Sequence, residues 1–137
     1  VREAEDGARI GGGEALVANG DSNTLVSSYA NGRLRVKLTD DEFGKGVQPS
    51  VDVTMESAAE TVTGPLVGVV LTGMGKDGAA GIRAISRAGG RTLAESEESA
   101  TIYGMPKRAA ETGAVDDVRA IDGIAAGICE AIREEPR

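Results

Sequence analysis

The sequence lacks several residues on which common enzyme sites depend. None of its 137 residues is histidine or tryptophan, and Cys129 is the single cysteine. Without histidine, this chain alone holds neither a Ser-His-Asp or Cys-His triad nor a histidine-ligated metal centre. One cysteine excludes an internal disulfide framework and a cysteine-rich zinc site. We therefore predict no metal site, and we expect Cys129 to be a small thiol in the core.

Positive charge is also scarce, because 15 Lys and Arg residues against 22 Asp and Glu residues give a net charge of −7. Nucleic acids and anionic membrane surfaces require clustered positive charge, so we expect neither as a partner. No apolar run approaches the ~18 residues of a spanning helix, which argues against membrane insertion. The unpaired cysteine and the absence of a signal peptide indicate a reduced, cytoplasmic setting. Since the first residue is Val1 rather than Met, we expect a fragment boundary there.

Alternating residues near the N-terminus predict strands. Short strands are expected at residues 15–18 and 25–29, and Asn31-Gly32 is the two-residue signal of a type I′ hairpin turn. Beyond it, apolar residues at 34, 36 and 38 alternate with basic ones, as in a half-buried strand. Polar residues 40–48, which include glycine, predict a loop. This region should therefore contain an antiparallel hairpin.

From residue 50 onward, helical and strand patterns alternate. Ser50 is the expected N-cap of the first helix, with Asp52 in its first turn. The apolar run at residues 66–72 predicts a parallel strand that is buried on both faces. Helices are predicted at 51–62, from 79 to the Gly89-Gly90 pair, at 105–112 and at 121–134, and further strands at 92–94 and 115–118. This order predicts an α/β fold, with a three-layer, mostly parallel, Rossmann-like sheet and helices on both faces.

Three of these helices carry a predicted apolar face, which on the helix that starts at residue 79 consists of Ala79, Ile82 and Ile85. On the first helix the apolar residues on one side are Val51, Met55, Ala58, Ala59 and Val62. On the last helix they are Ile124, Ile128 and Ile132. All three sets recur at the spacing of an amphipathic helix.

Residues 73–78, Gly-Met-Gly-Lys-Asp-Gly, match the G-x-G-x-x-G pattern between a predicted strand and a predicted helix. A dinucleotide site is one interpretation, with Glu95 or Glu97 near the spacing of a ribose-binding acid. Asp77 disfavours it, because its carboxylate would repel a pyrophosphate at the helix N-terminus. Otherwise Glu95, Glu97 and Glu98 should form a solvated loop. The spacing leaves open whether Asp77 caps its own helix or orients a catalytic imidazole at the strand's carboxyl end.

Residues 69–81, VVLTGMGKDGAAG, resemble the signature of the chemotaxis protein-glutamate methylesterases of CheB type. Shorter resemblances continue in the same order along nearly the whole chain. They are VREAEDG at 1–7, PSVDV at 49–53, AGGRT at 88–92, ES at 98–99, YGMP at 103–106 and GAVD at 113–116. Several motifs in the right order are more specific than one glycine turn.

The resemblance implies a serine hydrolase that removes methyl esters from glutamates of methyl-accepting chemoreceptors and releases methanol. Many members also deamidate receptor glutamines. In this family the Asp of the glycine turn is the third triad member, and the backbone N–H of its Met binds the oxyanion. These roles fall on Asp77 and Met74, with Gly73, Gly75 and Gly78 as the supporting turn. The resemblance implies that no cofactor is needed.

The family's nucleophilic Ser and its His lie upstream of the segment that Val1 begins. Residues 1–137 are therefore expected to be a partial methylesterase catalytic domain that is inactive by itself. The parent protein often carries an upstream receiver domain. Asn23 departs from the family, because many members have His there. Two alternatives stay open: a methylesterase-like regulatory or binding module that has lost catalysis, and the dinucleotide-binding module.

Overall fold

The computed structural model describes residues 1–134, which form eight strands and four helices. In chain order the elements are β1 (Arg2–Glu3), β2 (Arg9–Ile10), β3 (Leu16–Val17), β4 (Asn23–Tyr29), β5 (Arg33–Thr39), α1 (Val51–Thr61), β6 (Val67–Val70), α2 (Ala79–Arg87), β7 (Arg91–Glu95), α3 (Met105–Glu111), β8 (Asp117–Arg119) and α4 (Ile121–Arg133). Every predicted strand and helix from residue 50 onward is present, with ends within three residues of the prediction.

Strands β6, β7 and β8 form the central sheet, in that order and all parallel. Its middle strand is the most deeply buried, with Thr92, Leu93 and Ala94 at most 1% exposed. The strands run parallel because each crossover helix returns the chain to the same end of the sheet. Their carboxyl ends therefore meet at one edge, and the glycine turn lies at that edge.

Helices cover both faces of this sheet. Gly68 and Leu93 face opposite sides, because Gly68 pairs with Thr92, the neighbour of Leu93. On one side α2 lies so close that a Cβ at Gly68 would be 2.6 Å from Ile85 Cδ1. On the other side a Cβ at Gly127 of α4 would be 2.5 Å from Leu93 Cδ2. These contacts confirm the predicted three-layer arrangement.

A separate antiparallel sheet, ordered β2-β5-β4, precedes the parallel one, and β1 pairs with β3 in parallel. The predicted hairpin is confirmed as β4 and β5, but its link has three residues, Ala30–Gly32, rather than two. Asn31 and Gly32 both have positive φ, at 63° and 74°. Asn and Gly adopt this backbone conformation most readily. The Asn-Gly pair therefore located the turn correctly, but the predicted length of the turn was wrong.

Helix α1 packs between the hairpin and α2, and this changes its buried face. Of the five residues predicted to be buried, Ala58 alone is fully buried, whereas Asp52 and Val53 are buried as well. The helix contacts two neighbours at once, so its buried surface is wider than one apolar stripe. Asp52 lies on the side of α2, where its carboxylate has hydrogen-bond partners.

Strand β6 is less buried than its continuous apolar sequence predicts. Val67 and Val69 are half-buried, and Leu71, beyond the end of the strand, is 39% exposed. Among residues 1–134, β6 is an edge strand of the sheet. The expectation of burial on both faces is therefore wrong for these residues.

Helix α4 contacts the sheet through a stripe that includes a glycine. Its buried residues are Ile124, Gly127 and Ala131, whereas Ile132 is 52% exposed. Cys129 lies outside this stripe and is exposed. The prediction of a core thiol is therefore wrong. Of the predicted line of isoleucines, Ile124 is buried and Ile128 is half-buried, but the contact continues through Gly127 and Ala131 rather than through Ile132.

Ile82 and Ile132 provide a test of this packing. Ile82 is fully buried against Val70 and Ala109, so Ile82→Ala should lower the free energy of unfolding by about 2–5 kcal/mol. Ile132→Ala, at an exposed site, should change it by less than about 0.5 kcal/mol. Urea unfolding followed by circular dichroism measures both. Similar losses for the two variants would contradict the described core.

Candidate active site at the carboxyl end of the parallel sheet

The glycine turn after β6 requires glycine at two positions. Gly75 and Gly78 have φ angles of +96° and +101°, which side chains of L-residues rarely adopt. A Cβ at Gly78 would also lie 3.0 Å from Val70 Cγ2, so space is limited there as well. The turn can therefore reverse direction tightly and lead directly into α2.

A second loop, before α3, holds the first half of the turn in place. Gly73 N donates to Ile102 O at 3.0 Å, and Met105 N donates to Gly73 O at 2.8 Å. Gly104 comes so close that a Cβ there would be 2.7 Å from Gly73 O. Glycine at 104 thus allows the two loops to pack backbone to backbone.

Glu95 supports the same edge from the end of β7. It is 3% exposed, and its carboxylate accepts hydrogen bonds from Thr72 N at 2.9 Å and Ser99 Oγ at 2.7 Å. It is therefore neither part of a solvated loop nor free for a ribose, and that expectation is wrong for this residue. Glu97 and Glu98 are exposed, as predicted.

The carboxylate of Asp77 accepts three hydrogen bonds from the start of α1. Oδ1 accepts from Ser50 Oγ at 2.9 Å and from Asp52 N at 2.9 Å, and Oδ2 accepts from Val51 N at 2.7 Å. Asp77 thus caps a helix, but it is α1 rather than its own helix α2. An ionised carboxylate is favoured there, because the amides and dipole of a helix N-terminus stabilise negative charge.

Asp52 makes the reciprocal contact. Its Oδ1 accepts from Gly78 N at 2.9 Å and from Gly81 N at 2.7 Å, which are the first donors of α2. A pyrophosphate in a dinucleotide site would need those same amides. A carboxylate therefore occupies the amides that a dinucleotide would need, as the sequence predicted. It belongs to Asp52, however, and not to Asp77.

Buried polar side chains fix the start of α1. Ser50 caps the helix as predicted, accepting from Val53 N at 3.4 Å. Ser50 N in turn donates to Oδ1 of Asn23 at 2.7 Å. Asn23 is fully buried, and its Nδ2 donates to Asp41 O at 2.8 Å. Asn23 thus connects the hairpin to the residues that hold Asp77.

Met74, in the same turn as Asp77, is largely exposed to solvent. Its side chain is 82% exposed, and its N–H makes no hydrogen bond within residues 1–134. An amide that is held in a rigid turn and has no acceptor is suited to binding a developing negative charge. Lys76 in the same turn is exposed and has no ion pair in this part of the chain.

Met74 and Asp77 line one open cleft of about 820 Å³. Its opposite wall is formed by residues 44–47 of the loop after β5. Lys45 in that loop donates to Glu56 of α1 at 2.6 Å, which raises the pKa of the lysine above its usual value. The ion pair therefore ties this loop to the middle of α1.

Residues 1–134 contain no group of three or more side chains placed to hold a metal ion. None of their helices has both the length and the hydropathy needed to cross a bilayer.

Comparison with known proteins identifies the family. The sequence profile of the CheB methylesterase family matches residues 1–128. The chain belongs to this family. The crystal structure of the Thermotoga maritima CheB methylesterase catalytic domain superposes with a TM-score of 0.88 at 35% sequence identity. That match covers 93% of this chain and 67% of the Thermotoga chain, so the α/β fold is that of a CheB catalytic domain.

Relatives with the same domain are named protein-glutamate methylesterase/protein-glutamine glutaminase. The protein of Haloarcula marismortui is 62% identical over 98% of this chain, and that of Halobacterium salinarum strain R1 is 57% identical over 97%. The matched regions make up 37% and 38% of those proteins. The chain therefore spans somewhat more than a third of the length of these relatives.

Sequence reasoning missed two residues of the site, Asp52 and Asn23. Asp52 was expected to interact only with the dipole of its own helix, whereas it caps α2. One carboxylate lies in the first turn of α1 and another lies just before α2. This pattern predicts that each caps the other helix, but only once the two helices are known to be neighbours. Asn23 carried no signal apart from its departure from the family pattern.

The reciprocal caps make a prediction for Asp52. Asp52→Ala leaves the amides of Gly78 and Gly81 unsatisfied in a buried site, so the free energy of unfolding should fall by about 1–3 kcal/mol. Asp52→Asn keeps one acceptor oxygen and should lose less. Asp40→Ala, at an exposed loop position, is the matched control. Urea unfolding compares them, and equal losses for Asp52→Ala and the control would refute the capping role.

Proposed function

We propose that this chain is the C-terminal portion of the catalytic domain of a protein-glutamate methylesterase and glutamine deamidase. The whole protein would demethylate methyl-accepting chemoreceptors during chemotactic adaptation. Membership of the CheB family and the names of the relatives support this assignment. The observation that carries it is the Asp77 carboxylate, which is fixed by three donors at the edge of an open cleft.

Asp77 has the properties required of the third member of a serine-hydrolase triad. A carboxylate offers about four acceptor sites, and three are used by α1, so Oδ2 can accept one more hydrogen bond. In the proposed enzyme that bond comes from a histidine outside this chain. Asp77 would hold the imidazole in the reactive tautomer and stabilise the imidazolium. In the serine-protease template this role contributes up to ~10⁴ in rate.

Met74 would contribute through its backbone. Acyl transfer passes through a tetrahedral intermediate whose oxygen carries negative charge. A free N–H at Met74, in a turn whose glycines fix the backbone, can donate to that oxygen without rearrangement. Gly73, Gly75 and Gly78 would act by holding this geometry and not by contacting the substrate.

The reaction follows from these roles. A serine outside this chain attacks the glutamyl ester carbonyl, and its proton passes to the histidine. The histidine returns that proton to the leaving methoxide, and methanol departs. Water then hydrolyses the glutamyl–serine ester to glutamate and regenerates the serine. With a glutamine substrate the leaving group is ammonia, and neither reaction needs a cofactor.

The proposal also includes a second domain and a cellular location for the complete protein. The complete protein would also carry an upstream receiver domain, which the resemblance to the family implies for many of its members. The exposed, unpaired thiol of Cys129 fits a reducing cytoplasm, where such thiols are kept reduced.

Substitution of Asp77 tests the proposal. In the complete protein, Asp77→Asn should lower kcat for methanol release from methylated receptor by roughly 10²–10⁴, because the imidazole loses its anionic partner. Asp40→Asn, which removes an exposed carboxylate, should keep normal activity. The proposal fails if the complete protein releases no methanol, or if Asp77→Asn retains full kcat. Circular dichroism of each variant distinguishes lost chemistry from lost folding.

Gly75 tests the role of the turn. A Cβ there would meet no atom within 4 Å, so Gly75→Ala acts only through its φ of +96°. The strain of about 1–2 kcal/mol should move the Met74 amide and lower kcat more than it raises KM. Gly113→Ala is the matched control, since Gly113 also has positive φ and open space but lies outside the turn. Equal kcat values for the two variants would contradict the proposed donor.

A further inference from the structure

We propose that four cationic side chains on the rim of the cleft bind an acidic segment of the substrate protein. They are Lys76 in the glycine turn, Arg83 on α2, and Lys107 and Arg108 on α3. We refer to them as the cationic rim. This inference rests on the proposed function and deepens it, because it specifies the charge of the polypeptide that presents the ester.

The four side chains form one continuous surface. Lys76, Arg83 and Arg108 line the cleft that contains Asp77. Lys107 lines the adjoining pocket, which shares Lys76 and Arg108 with the cleft. Three separate elements thus bring positive charge to the edge of the sheet where the reacting ester would be bound.

The rim is unpaired, which distinguishes it from the lysine of the loop that lines the same cleft. All four side chains are exposed, and none has a carboxylate partner in residues 1–134. By contrast, Lys45 at the far wall of the same cleft is paired with Glu56.

Carboxylates near the rim do not cancel its charge. Asp52 and Asp77 are both held by helix N-terminal amides, which stabilise their charge from within the fold. Glu111 is the exposed carboxylate that lines both pockets, and Glu60 lines a neighbouring pocket with Arg83, so the rim has four cations against two exposed anions. In a chain of net charge −7, this is a local reversal of sign.

An acidic polypeptide is the partner that this surface fits. Clefts lined by one sign of charge raise the local concentration of opposite charge and speed association, and they repel partners of like charge. The proposed reaction also creates carboxylates, because each ester or amide that is hydrolysed leaves a glutamate on the substrate. A segment with several such sites therefore becomes more complementary to the rim as the reaction proceeds.

Charge reversal at the rim tests the proposal. The variant is the complete protein with Arg83→Glu, Lys107→Glu and Arg108→Glu, so the catalytic turn stays unaltered. The control has Arg33→Glu and Lys37→Glu, which reverse exposed cations on β5, remote in sequence from the turn.

The substrates are two synthetic peptides that carry one glutamate methyl ester each. In one peptide the flanking residues are glutamates, and in the other they are lysines. The unaltered protein should show at least about a 10-fold higher kcat/KM for the acidic peptide at low salt, and the preference should shrink as salt screens the charges. The rim variant should prefer the lysine-flanked peptide, and the control should retain the original preference.

Three outcomes would overturn the inference. They are an unchanged preference in the rim variant, an equal loss of preference in the control, and a rise in kcat/KM for both peptides, which would assign the rim to another part of the protein. If no protein hydrolyses either peptide, the proposed function fails instead. Fluorescence anisotropy with labelled peptides that carry glutamine in place of the ester then tests the rim alone, and equal affinities for both peptides would refute it.

Discussion

The exchange of carboxylates between two helix N-termini is the constraint on which the site depends. Asp77, just before α2, caps α1, and Asp52, in the first turn of α1, caps α2. Each helix therefore relies on the other for its first hydrogen bonds, and each carboxylate relies on the other helix for its donors. Neither carboxylate can move without leaving buried amides unsatisfied. The position of Asp77 is thus set by the packing of α1 on α2. Ser50, the N-cap of α1, supports it directly, and Asn23 supports Ser50 from the hairpin.

Because of this constraint, the Asp77 side chain has a structural role that is distinct from its proposed chemical role. Three acceptor sites of Asp77 hold the fold, and in the proposed reaction the remaining one would orient the imidazole. Met74, three residues earlier, has an unused amide in a turn whose backbone is fixed by glycine. Groups that are immobile before the reaction stabilise developing charge at little cost in reorganisation. The fold thus places two fixed groups at one edge of the sheet, the carboxylate of Asp77 as a hydrogen-bond acceptor and the N–H of Met74 as a donor. The cationic rim surrounds them.

Much of this arrangement could be predicted from local sequence. Strands, helices and the glycine turn follow from hydrophobic period and from the conformational needs of glycine, and the α/β order was correct. The partner of Asp77 could not be predicted, because Val51 and Asp52 lie about 25 residues away and their approach depends on tertiary packing. The contact face of α4 was predicted only in part. Ile124 is buried as expected, but Gly127 carries no hydrophobic signal, although its lack of a side chain allows the helix to approach β7. Glu95 was expected in solvent because a carboxylate at a strand end usually is exposed.

The most direct test is a structure of the complete protein treated with a serine-directed organophosphonate, whose adduct mimics the tetrahedral intermediate. We expect an imidazole nitrogen at about 2.6–3.2 Å from Asp77 Oδ2. We also expect the phosphonyl oxygen at about 2.7–3.1 Å from Met74 N, with the bonds from Asp77 to α1 intact. An adduct whose histidine makes no contact with Asp77, or whose oxygen lies away from the glycine turn, would contradict the assignment of both residues.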